Sequence, residues 1–219
     1  MNFKKLKQQL GYAIAITLVL LITNNQAHGQ IEKGLFQVGG SASFFSNNVE
    51  TNSNFGNPQK TTNKNSNVSF GPAFGYFVSN NLSLGIQLGY GTNENENNDF
   101  NSTLNSFQYG IYSRWHKPVV ERFYFFTSLS LLLANGENEV LDISTGTTTK
   151  ADISNFSANL APGLLYFVTD WLSFETSLNL MNYSTSKAET EDNNFTQNTD
   201  NFNFNLNLTN LNLGMVFYF

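Results

Sequence analysis

The sequence predicts an all-β protein, a transmembrane antiparallel up-and-down β-barrel of eight strands preceded by a signal peptide. Three observations predict it: apolar and polar residues alternate in eight segments, short and long connections alternate between those segments, and only 12% of the 219 residues are charged. Soluble domains carry about 25% charged residues. A chain with so few charges is not expected to face water over its whole surface, and its length suits one domain.

Residues 1–29 have the layout of a secretory signal peptide. A basic start precedes an apolar run from Ala13 to Ile22, and the small residues Ala27 and Gly29 precede a predicted cleavage before Gln30. An uncleaved membrane anchor is the alternative, but a helix needs about 20 apolar residues to span a bilayer, and this run is shorter. Residues 30–219 then form the barrel domain, and either interpretation predicts export from the cytoplasm.

Strict alternation with a period of two predicts the strands. Leu84, Ile86 and Leu88 alternate with Gly85 and Gln87, which a helix would scatter around its circumference. The same rule predicts eight strands, Phe36–Phe44, Val68–Tyr76, Leu82–Gly91, Phe107–Trp115, Phe123–Leu133, Phe156–Tyr166, Leu172–Leu180 and Leu211–Phe219.

The connections alternate between tight turns and long polar segments. The tight turns are predicted at 78–81, 116–121 and 168–171, and the long loops at 46–66, 92–105, 135–154 and 184–201. Short periplasmic turns and long extracellular loops are typical of outer-membrane barrels. The four long loops are therefore the predicted contact surface for an extracellular partner.

Three irregularities are expected within the strands. Proline cannot donate to a β-ladder, so a bulge is predicted near Pro72 and another near Pro162. Apolar positions are even from Phe202 to Leu208 but odd from Leu211, which predicts a bulge at Thr209-Asn210. Alternatively, the earlier part of this segment already projects beyond the membrane.

The apolar side of each strand is predicted to face lipid. A soluble lipocalin-like barrel would carry many charges on its other side, but here that side holds mainly Gly, Ser, Ala, Asn and Gln, which suit a narrow lumen. Two aromatic girdles are also expected. They comprise Phe36, Tyr76, Trp115, Tyr166, Trp171, Phe217 and Phe219 at the short-turn end, and Phe44, Phe70, Tyr90, Phe107 and Phe156 at the other.

The final strand resembles the C-terminal signature of outer-membrane proteins, with alternating residues Leu211, Leu213, Met215, Phe217 and Phe219. In that family the barrel-assembly machinery reads this strand, so the resemblance implies that partner during biogenesis. From Leu35 to Phe219 the layout resembles small barrels of the OmpA and OmpX type, especially those common in Bacteroidetes. It implies localisation in the cell outer membrane, without the periplasmic peptidoglycan-binding domain of full OmpA proteins.

Residues suited to chemistry are few. By parity Arg114 and Glu175 both point into the lumen, where an ion pair is expected because an unpaired charge is costly there. Tyr112, Tyr124, Phe126, Leu132, Leu165 and Met181 are also expected to point inward and to block an aqueous path. His116 is placed at a short turn, the wrong end for a substrate in the outer leaflet, so no enzyme, catalytic residue or cofactor is predicted.

Metal and nucleic-acid binding are not predicted either. The chain has no Cys, and Glu137, Glu139 and Asp142, like Glu189, Glu191 and Asp192, do not have the spacing of a calcium loop. Without the three lysines of the leader, 8 basic residues remain against 16 acidic ones, a charge of −8, which disfavours nucleic acid as a partner.

Three functions follow in order of preference. The first is a monomeric, non-enzymatic barrel with a structural or surface-contact role, in contact with outer-membrane lipid. The second is a narrow pore, or a receptor or transporter for a small apolar ligand. An outer-membrane lipid-modifying enzyme is third.

Overall fold

The computed structural model describes residues 31–53, 59–190, 195–206 and 211–219. The predicted signal peptide lies outside these residues. The described chain forms ten strands, β1 (Phe36–Ser53), β2 (Gln59–Ser79), β3 (Leu82–Glu96), β4 (Phe100–Val120), β5 (Phe123–Asp142), β6 (Thr148–Phe167), β7 (Leu172–Leu178), β8 (Met181–Thr190), β9 (Phe195–Phe204) and β10 (Leu211–Tyr218). None of the described residues belongs to a helix long and apolar enough to cross a membrane.

Among the described strands, β1–β7 and β10 form a closed antiparallel ring, and β8 and β9 extend the sheet from β6. β1 to β6 pair in sequence order, β7 and β8 both pair with β6, β9 pairs with β8, and β10 pairs with β7 and with β1. β7 and β8 therefore make up the seventh barrel strand, and β9 and β10 the eighth. The predicted fold class, an eight-stranded up-and-down barrel, is confirmed.

The two faces of each strand lie as the alternation predicts. On β3, Leu84 and Ile86 are 47% and 52% exposed on the outside, whereas Ser83 is fully buried in the lumen. The more strongly apolar face of each long strand thus points away from the barrel axis, the reverse of a lipocalin.

The prediction of long polar loops is wrong for most of the described residues of these segments, which are paired strands. β1 and β2 stay paired to Ser53↔Gln59, β3 and β4 to Glu96↔Asn101, β5 and β6 to Leu141↔Thr148, and β8 and β9 to Thr190↔Phe195. Asn and Ser disfavour strands in isolation, but β-propensity depends on cross-strand neighbours, and here polar residues pair with polar residues. These paired extensions, which occupy the described parts of 46–66, 92–105, 135–154 and 184–201, are called the outer hairpins.

The opposite ends of the strands are joined by tight turns. β2 and β3 are joined at Asn80-Asn81, and β4 and β5 at Glu121-Arg122. Arg122, the second residue of its turn, has a φ of +66° and lies in the left-handed region. β4 continues through most of the predicted 116–121 turn, so that turn is shorter than predicted.

The bulge predicted near Pro72 is not there. Towards β3, the pair Phe70↔Tyr90 is followed by Ala73↔Gln87 in the same register. Pro72 therefore interrupts the pairing between β2 and β3 locally, but neither strand gains an extra residue there.

A bulge does lie near Pro162, on the neighbouring strand. β6 pairs Gly163 with Ser177 of β7 but Leu160 with Met181 of β8, so the seventh strand has one extra residue between these pairs. The shift reverses the facing of every residue that follows. Met181 therefore shares the outward face of Leu160, and the prediction that it points into the lumen is wrong.

The eighth strand also changes phase. Phe204 pairs with Met181 and Leu211 pairs with Leu178, so outward positions are even in β9 and odd in β10. The bulge predicted at Thr209-Asn210 lies outside the described residues.

Candidate functional site

An ion pair crosses the middle of the lumen. Arg114 lies on β4 and Glu175 on β7, strands that are separated in the ring by β5 and β6, and Nη1 of the arginine donates to Oε2 of the glutamate at 2.6 Å. Both side chains are 16% exposed. The structure thus brings together the two charges that parity places in the lumen.

Aromatic rings surround the arginine of this pair. The guanidinium carbon of Arg114 lies 4.4 Å from the ring centroid of Phe126 and 5.8 Å from that of Tyr112. A cation over an aromatic face gains about 0.5–2 kcal/mol, the upper part of that range when water is excluded. The arginine is therefore held from several sides. The Arg114–Glu175 pair, which joins β4 to β7 across the lumen, is called the brace.

Tyr112 extends this brace towards β1 and β2. Nε2 of Gln37 donates to the Tyr112 hydroxyl oxygen at 2.7 Å and to Oγ of Ser83 at 3.2 Å. A Cβ at Gly75 would collide with that hydroxyl oxygen, and one at Gly85 would collide with Cζ of the ring. The two glycines therefore provide the space that the tyrosine occupies.

Below the brace, apolar side chains fill the short-turn end of the lumen. This lumenal cluster consists of Ile31, Phe77, Tyr124, Phe126, Leu165, Phe167, Val216 and Tyr218. Its rings are in contact, with 4.8 Å between the centroids of Phe167 and Tyr218 and 5.8 Å between those of Tyr124 and Phe167. Tyr112 and Leu132 are also buried. Five of the six predicted lumen-blocking residues are thus confirmed as buried, and Met181 is the exception.

His116 lies within β4 and not in a turn, which corrects the prediction, although it does lie at the predicted short-turn end of the barrel. It is fully buried, 5.1 Å from the ring centroid of Phe77 and 6.2 Å from that of Phe126, and its backbone N–H donates to the carbonyl of Asn81 at 2.7 Å. Neither imidazole nitrogen has a hydrogen-bond partner in the described structure. Tyr112 and Arg114 occupy even-numbered positions of β4 and face the lumen, so the same alternation predicts that His116 faces the lumen too.

Above the brace the lumen is hollow. A cavity of about 890 Å³, the upper cavity, lies between the outer hairpins and the Arg114–Glu175 pair. Small residues leave this space, because Gly39, Ser41, Gly71, Ala73, Gly89 and Gly91 all line it. The alternation predicts that these small residues face the lumen, but it does not predict that the upper half stays open.

The charges of the outer hairpins pair with one another on the outward face. Nζ of Lys150 on β6 bonds Glu137 at 3.0 Å and also pairs with Glu139, both on β5. The hydrogen bond from Lys150 holds the pKa of Glu139 below its ordinary value. The acidic residues weighed as a cation site are therefore engaged with a lysine, and Asp142 accepts turn hydrogen bonds from Ser144.

No metal site is evident in the described ranges. None of the described His, Asp and Glu residues form a group of three or more that could hold an ion. Glu191 and Asp192 lie outside those residues.

The C-terminal strand closes the ring. The backbone N–H of Phe36 donates to the carbonyl of Phe219, and that of Phe219 donates to the carbonyl of Phe36, both at 2.9 Å. Leu211, Leu213 and Met215 are exposed on the outside, and Phe217 and Phe219 are half-buried. The alternation thus gives β10 an apolar outer face, and its role as an assembly signal stays a prediction.

The chain is similar in shape to several small barrels, although no protein-family model and no curated protein matches its sequence. Neisserial surface protein A is 13% identical, with a TM-score of 0.45, over 89% of this chain and 100% of that one. A major outer membrane protein from Thermus thermophilus is 12% identical, with a TM-score of 0.45, over 85% and 99%. Ail, the attachment invasion locus protein of Yersinia pestis, is 10% identical, with a TM-score of 0.43, over 85% and 99%.

Proposed function

We propose that the chain is a monomeric, non-enzymatic barrel of the bacterial outer membrane with a structural or surface-contact role. One observation carries the proposal, a continuous exposed apolar belt around the barrel. The belt includes Phe74, Leu84, Ile86, Leu88, Ile111, Leu129, Leu131, Leu133, Leu164, Phe174, Leu213 and Met215, all at least 39% exposed. Monomeric soluble proteins rarely expose contiguous apolar patches above a few hundred Å², so a belt of this extent requires lipid.

Aromatic residues at both edges of the belt support the membrane assignment. Phe36 and Tyr76 lie with ring centroids 5.0 Å apart at the short-turn end, where Trp171 also stacks on Phe217 at 5.8 Å. Phe44 and Phe70 are 77% and 62% exposed at the other edge. Tyr and Trp concentrate at membrane interfaces, where one end of the ring is apolar and the other is wet.

The outer hairpins support the surface-contact role. β2 and β4 each contain 21 residues, whereas a membrane-crossing strand needs about 9–11. About half of each long strand is therefore free to project beyond the bilayer. We assign the outer hairpins as the contact surface for an extracellular partner, which the acidic charge of the chain suggests is not nucleic acid.

A pore is the weaker alternative. The lumenal cluster and the Arg114–Glu175 pair lie across the short-turn half of the lumen, which argues against an aqueous path. A receptor for a wholly apolar ligand is also weaker, because hydroxyl and amide side chains line the upper cavity beside apolar residues such as Leu88 and Leu104.

Several observations support a non-enzymatic role and the finer assignments. His116, the one histidine that the structure describes, is buried without a partner for its ring nitrogens, so it lacks the contacts of a general base. The alternating strand ending at Phe219 supports recognition by the barrel-assembly machinery. The resemblance of the whole layout suggests a small barrel of the OmpA and OmpX type from Bacteroidetes.

The experiment is planar-bilayer recording of the purified protein, with detergent dependence measured in parallel. We expect a folded monomer only in detergent or lipid, and no steady conductance. A stable open channel would contradict the closed barrel. A folded, monomeric protein in plain buffer would contradict the membrane assignment altogether.

A further inference from the structure

The lumen is built differently above and below the Arg114–Glu175 pair. Below it, the lumenal cluster fills the space, as expected for an eight-stranded barrel. Above it, glycine and serine at the inward positions leave the upper cavity of about 890 Å³. Small-molecule sites in proteins usually occupy about 300–1,000 Å³. The upper cavity is therefore large enough for a ligand and is closed by the brace at one end.

Amide side chains in the upper cavity are free to bond a guest. Gln87, Gln108 and Asn212 line it, and none of these side chains bonds another group within the described ranges. At its floor, Oε1 of Gln37 and Nε of Arg114 are buried without a hydrogen-bond partner in the same ranges. A buried polar group without a partner is costly, so these atoms favour an occupant that can both donate and accept.

Charge is kept off the inner walls that lead to this cavity. On β3, Glu94 and Glu96 share the outward parity, while Asn93 and Asn95 point inward. The same division holds on β5, where Asn138 is inward and bonded to Ser102 while its neighbours Glu137 and Glu139 are outward. An entrance lined by neutral amides and hydroxyls attracts neither anions nor cations.

We propose that the upper cavity binds a neutral polyhydroxylated group, a sugar, through its free amides. Each sugar hydroxyl donates one hydrogen bond and accepts up to two, which matches the mixed donors and acceptors of Gln and Asn. Arg114 and Glu175 at the floor neutralise each other and offer no net charge to an ion. The sugar comes either from a free saccharide or from the headgroup of a glycolipid, and binding is independent of what the outer hairpins contact.

The test uses maltose and the folded barrel in a detergent without a sugar headgroup. Titration calorimetry should show saturable binding, and the side-chain amide signals of Gln87 and Gln108 should shift in NMR spectra. Dodecyl maltoside in place of part of the detergent tests the glycolipid source. Binding of either probe supports the proposal, and binding of neither overturns it.

Two variants and a matched control locate the site. A Cβ at Gly91 would meet only ordinary contacts, the nearest at 3.6 Å, so Gly91→Leu fills the cavity without disturbing the wall. It should weaken binding at least about tenfold. Gln87→Leu with Gln108→Leu removes two sets of hydrogen bonds and should weaken binding by about ten- to a hundredfold. Ala158→Leu places a leucine on the outward face instead and should leave binding unchanged.

Charged analogues test the ligand class. Glucuronate and glucosamine carry a negative and a positive charge on the ring skeleton of glucose. Both should bind more weakly than glucose. Tighter binding of either ion, or unchanged maltose binding in Gly91→Leu, would refute a neutral-sugar site in the upper cavity.

Discussion

Removing one member of the lumenal ion pair should be far more damaging than removing both. Glu175→Gln keeps the shape of the side chain but leaves Arg114 charged in a site where it is 16% exposed and where Nε already lacks a partner in the described ranges. Breaking a buried pair costs about 3–5 kcal/mol. The contact of Arg114 with the Phe126 ring is present in both proteins and cancels in the difference, so we expect a loss of about 3–5 kcal/mol.

The double variant separates charge burial from packing. Arg114→Met with Glu175→Met replaces both charges by apolar side chains that fit among Phe126 and Tyr112. Such replacements are often neutral or stabilising, so the double variant should lie within about 1 kcal/mol of the natural protein. The exposed pair Lys64–Glu96, at 3.2 Å, supplies the control, because Glu96→Gln should cost less than about 1 kcal/mol.

The assay is reversible urea unfolding in phospholipid vesicles, followed by the fluorescence of Trp115 and Trp171. Both tryptophans lie on the outward face and are 45% and 38% exposed, so they should report the loss of the lipid environment. A loss of less than about 1 kcal/mol in Glu175→Gln would refute the reasoning. A double variant as unstable as Glu175→Gln would also refute the reasoning. The pair would then stabilise the barrel through the attraction between its two charges, and not merely by neutralising each other's charge.

Three further predictions follow from the belt, the cluster and one turn. Leu131→Arg places a charge in the belt and should cost about 2–4 kcal/mol in the same unfolding assay, whereas Thr103→Arg in an outer hairpin should cost little. Phe126→Ala with Leu165→Ala should open the short-turn end and produce conductance steps in planar bilayers; a silent double variant would show that other groups form the barrier. The turn hydrogen bonds lower the pKa of Asp142, so their stabilisation is present above the ordinary carboxyl pKa and is lost as pH falls through the lowered value. The protection factors of the amides at 143–147, which correct for the intrinsic slowing of exchange at low pH, should therefore fall in acid, and Asp142→Asn should abolish this dependence.

Alternation alone predicted the strands and their facing, because one face meets lipid and the other a narrow lumen. Parity then placed Arg114 and Glu175, on strands far apart in sequence, in the same narrow lumen. Since an eight-stranded barrel is only a few side chains wide, two inward charges at similar height have little choice but to meet. This part of the site follows from the period of two and the strand number.

Features that depend on neighbouring strands could not be predicted from the sequence. The outer hairpins look like loops because Asn, Ser and Thr dominate them, yet pairing with equally polar neighbours keeps them in the ladder. The reversal of Met181 follows from one extra residue opposite Pro162, which no pattern within its own segment reveals. The upper cavity depends on several strands carrying small residues at the same height, and that alignment requires the register.

The reciprocal bonds between Phe36 and Phe219 put the two ends of the barrel side by side. Every other pair of neighbouring barrel strands is joined by a turn or hairpin of the chain. The first and last barrel strands are therefore the one neighbouring pair that no connection of the chain joins directly. A permuted gene that links the two ends by a short bridge and cuts the chain at 143–147 would preserve all the strand pairs. The gene order alone therefore decides which strands are first and last, and the geometry of the ring is compatible with a different order.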